Sequence, residues 1–400
     1  MRIRTVGFLL LIQQLAIGQG FSRFQQELNS IDSLLQKTKS YKEQVKGEQL
    51  QKYQQKKQEL SVRTDTLHSW QRFILLTKLL EFVRDNHLGF YQRGNNSEWP
   101  VVNWNLDSLK VVLSEKSADE IEGIYQYGED YQMGLVKTGE RDYQGIVLDS
   151  KVPGKKPGQQ IAWLKEKGRN RFAAVYLHPL TNNLLYYPIE RSADQQLLFS
   201  KFYQSNYNGV YNKNPDGVDF VNLPDTSRPF LLTEPYPSVQ YVRVSSFSNN
   251  GNLRKQSDSL IQLVNNTAVQ PYTILDLRNN TGGSAGMSKP YIKWVNRVRK
   301  KSNVVILTNA NTISQGEITA NRLSKLKGVV LAGQQTKGML AYGSNYGKHI
   351  AIAGGEFVFY PTDMRTPGLL QFEDVGILPN LPLSNKEDWL EQIYNYWKLK

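Results

Sequence analysis

Hydrophobic residues recur along the chain at two spacings, and the change between them predicts three structural regions. In residues 21–89, apolar side chains lie three or four positions apart and no proline occurs, which predicts helices. The clearest run covers residues 67–83. Thr64-Asp65-Thr66 offers an N-cap before it, and Gly89 is a suitable stop after it.

Residues 90–235 have a different pattern, with short apolar runs separated by glycine and proline. Residues 145–148 and 173–177 are two such runs, and Pro153-Gly154 is one of the turn signals between them. This arrangement is typical of a β-rich unit.

Residues 236–400 alternate apolar strand-like runs with segments of helical period. The predicted strands are 239–244, 272–277, 304–308 and 329–332, and the predicted helices are 253–265, 284–300 and 317–326. Such alternation predicts an α/β domain with a largely parallel sheet. Ligands of these domains collect beyond the carboxyl ends of the strands, so the loops there are candidates for a site.

The first 20 residues have the pattern of a signal peptide. Arg2 and Arg4 precede an apolar run over residues 6–17, and Ala16-Ile17-Gly18 fits a cleavage site. The run is shorter than the roughly 20 residues that span a bilayer. We therefore expect export to the periplasm or the cell exterior, with no membrane span in the mature chain.

Composition excludes several kinds of chemistry. The chain has no cysteine, which rules out disulfides, thiolate metal sites and a cysteine nucleophile. The formal charge is +13, but the basic residues are scattered and no nucleic-acid-binding motif occurs, so no nucleic-acid partner is expected. The sequence does not predict an oligomeric state.

A polar turn with paired glycines follows the predicted strand 272–277. Residues 276–283 read Asp-Leu-Arg-Asn-Asn-Thr-Gly-Gly. Because glycine adopts positive φ readily, successive amides in such a turn can form an anion-binding nest that stabilises an oxyanion. A plain tight turn before a helix is the alternative interpretation.

Ser314 follows the next strand, at the predicted start of a helix, with Glu317 three residues later. Ser-x-x-Glu is a capping box, which gives this pair a purely structural interpretation. The alternative is a nucleophilic serine on a strand-to-helix turn, where free amides at the helix start can hold an oxyanion.

The chain has only four histidines. His68 is predicted inside a helix, His178 precedes a proline, and His349 lies near a strand. His87 closes the long predicted helix and is the preferred candidate for a general base, because a neutral imidazole suits that role. The sequence has no His-Glu-x-x-His motif, phosphate loop or dinucleotide fingerprint, so we expect neither metal nor cofactor.

Four motifs in sequence order resemble one family, which comprises C-terminal processing (tail-specific) peptidases, tricorn proteases and retinoid-binding-protein-like domains. They are residues 276–283, the Ser314–Glu317 segment, Gly-x-x-Thr-x-Gly at 333–338, and Glu-Asp-Val-Gly-Ile-Leu-Pro-Asn at 373–380. The resemblance covers about residues 236–383 and implies a crotonase-like α/β core with serine peptidase activity.

The family has two kinds of base. Processing peptidases use a lysine directly after the third motif, where this chain has Met339; Lys337 is a weaker candidate two residues earlier. The tricorn branch uses a histidine from an Asp-Gly-His-Thr segment, which Asp85-Asn86-His87-Leu88 resembles. Asn86 and Leu88 depart from that branch, and either departure affects how the histidine is oriented.

The resemblance implies a serine peptidase of the tricorn-like branch that cleaves peptides or unfolded proteins, and the signal-peptide pattern adds the expectation that it is exported. Ser314 would be the nucleophile, His87 its base, and Glu373 the group that orients the imidazole. The amides of Gly283 and Gln315 would form the oxyanion hole.

Two alternatives stay open. One is an inactive relative that binds peptides or cell-envelope partners, and the other is an esterase with the same machinery. The expected units are a signal peptide at 1–20, a helical unit at 21–89, a β-rich unit at 90–235 and an α/β core at 236–400. Residues 145–163 show a faint resemblance to the PDZ module of processing peptidases.

Overall fold

The computed structural model describes residues 22–63, 67–94, 99–223, 228–344 and 347–399. The expected signal peptide and the expected Thr64-Asp65-Thr66 cap lie outside these ranges. The helices described are α1 Arg23–Leu35, α2 Lys39–Gln44, α3 Glu48–Ser61, α4 Ser69–Leu80, α5 Leu106–Ser114, α6 Gly251–Asn266, α7 Ala285–Val298, α8 Gln315–Leu323 and α9 Trp389–Tyr396, with a short 3-10 helix at Leu370–Phe372.

The described strands fall into two main sheets and one short pair. In chain order they are β1 Gly89–Gln92, β2 Gly123–Tyr127, β3 Tyr131–Lys137, β4 Asp142–Ser150, β5 Gln160–Gly168, β6 Arg171–Leu177, β7 Leu184–Ala193, β8 Gln196–Leu197, β9 Phe230–Tyr236, β10 Val239–Val244, β11 Tyr272–Asp276, β12 Asn303–Thr308, β13 Val329–Gly333, β14 Tyr342–Gly343, β15 Ile350–Ala351, β16 Phe357–Tyr360, β17 Met364–Arg365 and β18 Leu381–Pro382.

The N-terminal helices form because their apolar residues repeat every three or four positions. In α1, this spacing buries Phe24, Leu28, Ile31 and Leu35 on one face, and Ser22 caps its first turn. The helix α4 is shorter than the sequence predicts. It begins after His68, which is its N-cap rather than an interior residue, and it ends at Leu80, before His87.

The larger sheet has ten strands in the order β15-β16-β1-β7-β6-β5-β4-β3-β2, with β8 paired to β7. All its neighbouring pairs are antiparallel. It joins the β-rich region expected from the sequence to β15 and β16, which come from the chain after residue 236. The β1 strand, which starts two residues after His87, lies between β16 and β7.

The six-stranded sheet has the order β18-β13-β12-β11-β10-β9. Strands β18 to β10 are parallel and β9 is antiparallel. The predicted α/β class with a largely parallel sheet is therefore confirmed. The observed elements from β10 to β13 match the predicted strands and helices to within a few residues.

Helices cover both faces of the six-stranded sheet. Successive residues of a strand point to opposite faces, so Leu275 packs with the cluster of α6 and α7 while Ile274 packs with α9. Trp294 of α7 and Trp389 of α9 are almost wholly buried on the two sides. Burial of such large apolar side chains removes apolar surface from water and holds the helices against the sheet, which is the platform of the site.

The platform brings three loops together at one edge. The parallel strands β11, β12 and β13 are neighbours and end at Asp276, Thr308 and Gly333. The segments that follow them carry the first three sequence motifs, which therefore converge. Among the described residues, no helix is both long and apolar enough to cross a membrane.

Candidate active site

Ser314 is the N-cap residue of α8 and has an unusual backbone. Its φ is 53° and its ψ is −120°, a region that side-chain-bearing residues rarely adopt. A conformation of this kind costs on the order of 1–3 kcal/mol and persists only where surrounding contacts enforce it. It turns the chain sharply from β12 into α8 and presents a partly exposed hydroxyl at the turn.

The glycine turn after β11 packs directly against Ser314. Ile313 N donates to Asn280 O at 2.9 Å, and Asn280 Oδ1 accepts from Gly282 N at 2.9 Å. A Cβ on Gly282 would lie 2.7 Å from Ser314 Cβ, closer than atoms can approach, and Gly282 has a φ of +78°. Only glycine satisfies both conditions, so the first and second motifs form one unit.

Glu317 binds this unit through hydrogen bonds to its carboxylate. Its buried carboxylate accepts four hydrogen bonds: from Ser314 N at 3.0 Å, Thr336 Oγ1 at 2.6 Å, Gly338 N at 2.7 Å and Met339 N at 2.8 Å. The bond to Ser314 N is the return half of a capping box. The other three attach the third motif, so Glu317 does more than cap a helix. Burial raises the pKa of this carboxyl, while the hydrogen bonds oppose the rise.

His87 lies beside the hydroxyl of Ser314. Its Nε2 is 3.1 Å from Ser314 Oγ, within hydrogen-bond distance, although the two residues are 227 positions apart in the chain. Burial lowers the pKa of His87 to about 4, and the charge of Lys337 adds to the shift. The imidazole is therefore neutral above about pH 5, which is the form that accepts a proton.

The other nitrogen of this imidazole, Nδ1, is buried and has no hydrogen-bond partner among the described residues. The family resemblance implies that Glu373 orients the ring, but the structure places Glu373 differently. Its Oε1 accepts from Asn86 N at 2.8 Å, and its Oε2 accepts from Leu340 N at 2.9 Å and Ala341 N at 2.7 Å. Glu373 therefore holds the Asp85–Asn86 peptide group, one residue before His87, and not the ring.

Glu373 takes this position because three backbone amides near it need an acceptor. Three N–H groups of irregular segments converge on a buried carboxylate, and a buried amide without an acceptor costs free energy. Burial raises the pKa of Glu373 well above its usual value, with the nearby Asp85 adding to the rise and the amides opposing it.

Asn86 fixes the same segment from its side chain. Its Nδ2 donates to Gly338 O at 2.5 Å, which ties the residue before His87 to the loop after β13. Asp85 lies fully buried beside it, and its Oδ2 accepts from Thr362 Oγ1 at 2.5 Å. Burial raises the pKa of Asp85 to about 6.

Met339 and Lys337 flank the serine on the loop after β13. Met339 gives only its backbone N–H to the site. In the described part of the chain, no hydrogen bond joins Lys337 to Ser314. Lys337 Nζ instead lies 4.6 Å from the centre of the Phe199 ring. His87 is thus the base candidate that the structure brings to the serine.

The remaining histidines lie elsewhere. His178 Nε2 pairs with Tyr203 O at 2.8 Å, and His349 Nδ1 pairs with Tyr91 Oη at 2.9 Å. His68 starts α4. None of the three has a hydrogen bond to Ser314 within the described ranges.

The two expected oxyanion donors lie on the two segments that pack together at Ser314. Gln315 N follows it directly and lies 3.1 Å from the position of a Cβ on Gly282. Gly283 is the next residue of that turn and has a φ of +133°. Among the described residues, neither amide donates to an acceptor. Both are free to bind an anionic oxygen.

The acidic and basic residues that begin the first motif have a structural role. Arg278 donates to both oxygens of Asp276, the shortest bond being 2.7 Å, and Tyr241 Oη donates to Asp276 Oδ2 at 2.6 Å. The guanidinium also lies 5.2 Å from the centre of the Trp389 ring. This buried group anchors the end of β11 and does not contact Ser314.

A cavity of about 630 Å³ lies beside the site. It is lined partly by Leu198 and Ala310, which also belong to a small apolar cluster with Phe199. Neither His87 nor Ser314 lines it. The described residues contain no group of three side chains suited to hold a metal ion.

The fold and site together define an α/β protein with a Ser–His pair at the carboxyl edge of its parallel sheet. No protein-family model matches the sequence, and no curated protein is similar enough to match it. Several solved structures have a similar chain trace at low identity.

One is mature CPAF complexed with lactacystin, with 10% identity and a TM-score of 0.43 over 94% of this chain and 98% of that one. A photosystem II D1 C-terminal processing protease has 14% identity and a TM-score of 0.38, over 94% and 97%. A lipoprotein from Streptococcus agalactiae has 11% identity and a TM-score of 0.37, over 96% and 98%. Values this low do not assign an activity.

Proposed function

We propose that this chain is a serine peptidase of the tricorn-like type, with Ser314 as nucleophile and His87 as general base. The observation that carries the proposal is the 3.1 Å separation of His87 Nε2 and Ser314 Oγ at a strained strand-to-helix turn. The four sequence motifs, which resemble those of the processing-peptidase and tricorn family, support the same activity.

In the proposed reaction, His87 takes the proton of Ser314 as Oγ attacks a peptide carbonyl. The charged tetrahedral oxygen is held by the amides of Gly283 and Gln315, and one such donor typically contributes about 2.7–4 kcal/mol. His87 then gives its proton to the leaving amine, which leaves an acyl-enzyme on Ser314. Water releases the acyl group with His87 again as base.

Glu373 acts in this proposal as a positioning residue. It holds the Asn86 peptide, and this fixes the backbone from which the imidazole projects. Nδ1 of His87 has no partner in the described ranges, so no hydrogen bond from a described residue stabilises the imidazolium at that nitrogen.

We further propose that the protein is exported and acts on peptides or unfolded proteins in the periplasm or outside the cell. This rests on the signal-peptide pattern at residues 1–20. The proposed peptide hydrolysis needs no cofactor.

The unpartnered Nδ1 favours one alternative, a protein that binds peptides without cleaving them. In serine peptidases, a hydrogen bond at that nitrogen sets the tautomer of the base and stabilises its charged form. An esterase is the other alternative, because it needs the same nucleophile and base.

Hydrolysis of matched peptide and ester substrates tests the proposal. The wild-type protein should cleave both, and Ser314→Ala and His87→Ala should each lower kcat/KM by at least about a hundredfold. Ester cleavage without peptide cleavage would indicate an esterase. Peptide binding with no cleavage of either substrate would indicate the binder.

A further inference from the structure

Lys337 lies on the loop after β13 and has a partly buried side chain. Its ammonium makes no hydrogen bond or ion pair with any described residue. The aromatic ring of Phe199 is its near neighbour, at 4.6 Å from Nζ to the ring centre. A lysine at a surface normally finds water or a carboxylate, so this environment needs an explanation.

The loop holds this lysine close to the nucleophile. Lys337 N donates to Thr312 O at 3.3 Å, two residues before Ser314. The residues on each side of it are bound to Glu317, which also binds Ser314 N. The positive charge also contributes to lowering the pKa of His87. Lys337 is therefore part of the wall around the Ser–His pair.

The carboxylates nearest to Lys337 are already occupied. Glu190 accepts from Tyr176 Oη at 3.0 Å and from the backbone N–H groups of Arg191 and Phe199, both at 2.8 Å. The four hydrogen bonds to Glu317 come from other groups. Both act on Lys337 only through space, where they raise its pKa, while burial lowers it by more.

Arg191, the other cation near this loop, differs from Lys337 because its donors are used. Its guanidinium donates to the backbone carbonyls of Gln335, Thr336, Lys337 and Val375, and this holds the loop in shape. Arg191 is thus committed to the scaffold. The lysine is the cation at this wall that keeps its hydrogen-bond donors unused by described residues.

A cation in such a place is stabilised by an anion that arrives with a ligand. Burying a charge without a partner is costly, and a charge pair formed across an interface recovers part of this cost while selecting the partner. An arriving carboxylate would also offset the effect of Lys337 on His87, which favours proton transfer to the imidazole.

We propose that Lys337 selects substrates with an acidic side chain, aspartate or glutamate, adjoining the scissile bond. The inference rests on the proposed peptidase function and names its substrate class. The lysine is a specificity residue here, since the base is His87.

A peptide series tests this directly. The peptides carry blocked ends, so that no terminal charge interferes, and a single Glu or its Gln counterpart is placed at each position near the cleavage site. In the wild-type protein, the ratio of kcat/KM for Glu over Gln should reach about tenfold at one position, equivalent to about 1.4 kcal/mol. Lys337→Met should bring that ratio near one, and Lys337→Arg should keep most of it.

Lys325→Met is the matched control, because Lys325 is an exposed lysine on the same core and its loss changes the net charge equally. It should leave the ratio as in the wild type. A wild-type ratio near one at every position, or a ratio that survives in Lys337→Met, would overturn the inference.

Binding separates this inference from the proposed function. In Ser314→Ala, which needs no turnover, the Glu peptide should bind about tenfold more tightly than the Gln peptide, and Lys337→Met in that background should abolish the difference. Selective binding with no hydrolysis by the wild type would reject the peptidase and keep the carboxylate site. Hydrolysis by the wild type together with equal affinities of Ser314→Ala for the Glu and Gln peptides would keep the peptidase and reject the carboxylate site.

Discussion

At the scale of single residues, the site depends on an imidazole kept neutral by its surroundings. Burial is the main cause of the lowered pKa of His87, and Lys337 is the second. A neutral base is present over a wide pH range, but a lower pKa also makes it a weaker proton acceptor. In the proposed reaction, proton transfer to this weak base would depend on the oxyanion donors and on any charge that the substrate brings.

The pH profile of kcat/KM should report the lowered pKa of His87. In the proposed reaction the active form is the neutral imidazole of His87, whose pKa of about 4 lies below the usual 6.5. Activity should therefore stay high from pH 6.5 down to about 5 and fall as the pH drops through about 4. The same shift makes the fold less stable in this window, because the unfolded chain binds a proton that the native site excludes.

Initial rates in buffers from pH 3 to 8 measure the profile, with circular dichroism at each pH to show that the protein is folded. Lys337→Met should move the acidic limb to higher pH, because one cause of the low pKa is removed. An acidic limb at or above pH 6.5 in the wild-type protein would contradict this description of His87.

At the scale of elements, the geometry of Ser314 comes from loops at the ends of parallel strands. The glycine turn after β11, the start of α8 and the loop after β13 contact one another through Asn280, Gly282 and Glu317. Each contact is short and specific. Small changes in one loop should therefore displace Ser314.

The Gly282→Ala substitution tests the contact of the first two motifs. The new Cβ would lie 2.7 Å from Ser314 Cβ, and the positive φ adds about 1–2 kcal/mol of backbone strain. We expect kcat/KM to fall at least about tenfold, since small misplacements of reacting groups are costly. Gly286→Ala is the control, because its nearest atom would be 3.4 Å away, and it should keep nearly full activity.

The Glu317→Gln substitution tests the link between α8 and the loop after β13. An amide nitrogen would replace one acceptor oxygen and leave a buried N–H group without a partner. We expect the free energy of unfolding to fall by about 1–3 kcal/mol. Urea unfolding measures it, with the exposed Glu387→Gln as the control, and equal stabilities of the two variants would show that the carboxylate is not needed.

At the scale of the whole molecule, His87 and Ser314 come from different parts of the fold. The ten-stranded sheet and N-terminal helices carry His87, and the six-stranded sheet carries Ser314. The helices are tied to the larger sheet by Arg72, which donates to Glu27 at 2.9 Å and to Glu356 of the hairpin turn before β16. Burial raises the pKa of Glu27 despite this pairing, which shows how far the group is removed from water.

The Arg72→Met substitution should weaken this link strongly. It would leave the fully buried Glu27 without its main partner, and breaking a buried ion pair costs about 3–5 kcal/mol. Urea unfolding should show the loss, and kcat/KM should fall as the segment around His87 loosens. Arg254→Met removes an exposed ion pair and should change stability by less than about 1 kcal/mol. A similar small change for Arg72→Met would contradict the argument.

The parallel sheet could be read from the sequence because its strands are buried on both faces. Strands β10 to β13 are rich in apolar residues and largely buried, and the helices between them have a clear period. The end of α4 could not be predicted, since apolar spacing continues past Leu80 into turns. The pairing of β1 with β16 joins segments more than 260 positions apart, and no local pattern signals it.

The site residues follow the same division. Ser314 and the glycine turn carry local signals, whereas His87 could be singled out only through its scarcity and a family resemblance. The contacts of Glu373 are with backbone amides of Asn86, Leu340 and Ala341, and backbone amides leave no trace in a sequence. The sequence indicates Lys337 only as a weaker candidate base, and the lack of a hydrogen-bond partner for its ammonium is visible only in the structure.

Labelling by a fluorophosphonate tests the pairing of Ser314 and His87 most directly. Such a probe reacts with a serine made nucleophilic by a base, and mass spectrometry of the digested protein identifies the modified residue. We expect modification of Ser314 in the wild-type protein and a rate at least about a hundredfold lower in folded His87→Ala. An unmodified Ser314 in folded wild-type protein, or an equal rate in His87→Ala, would contradict it.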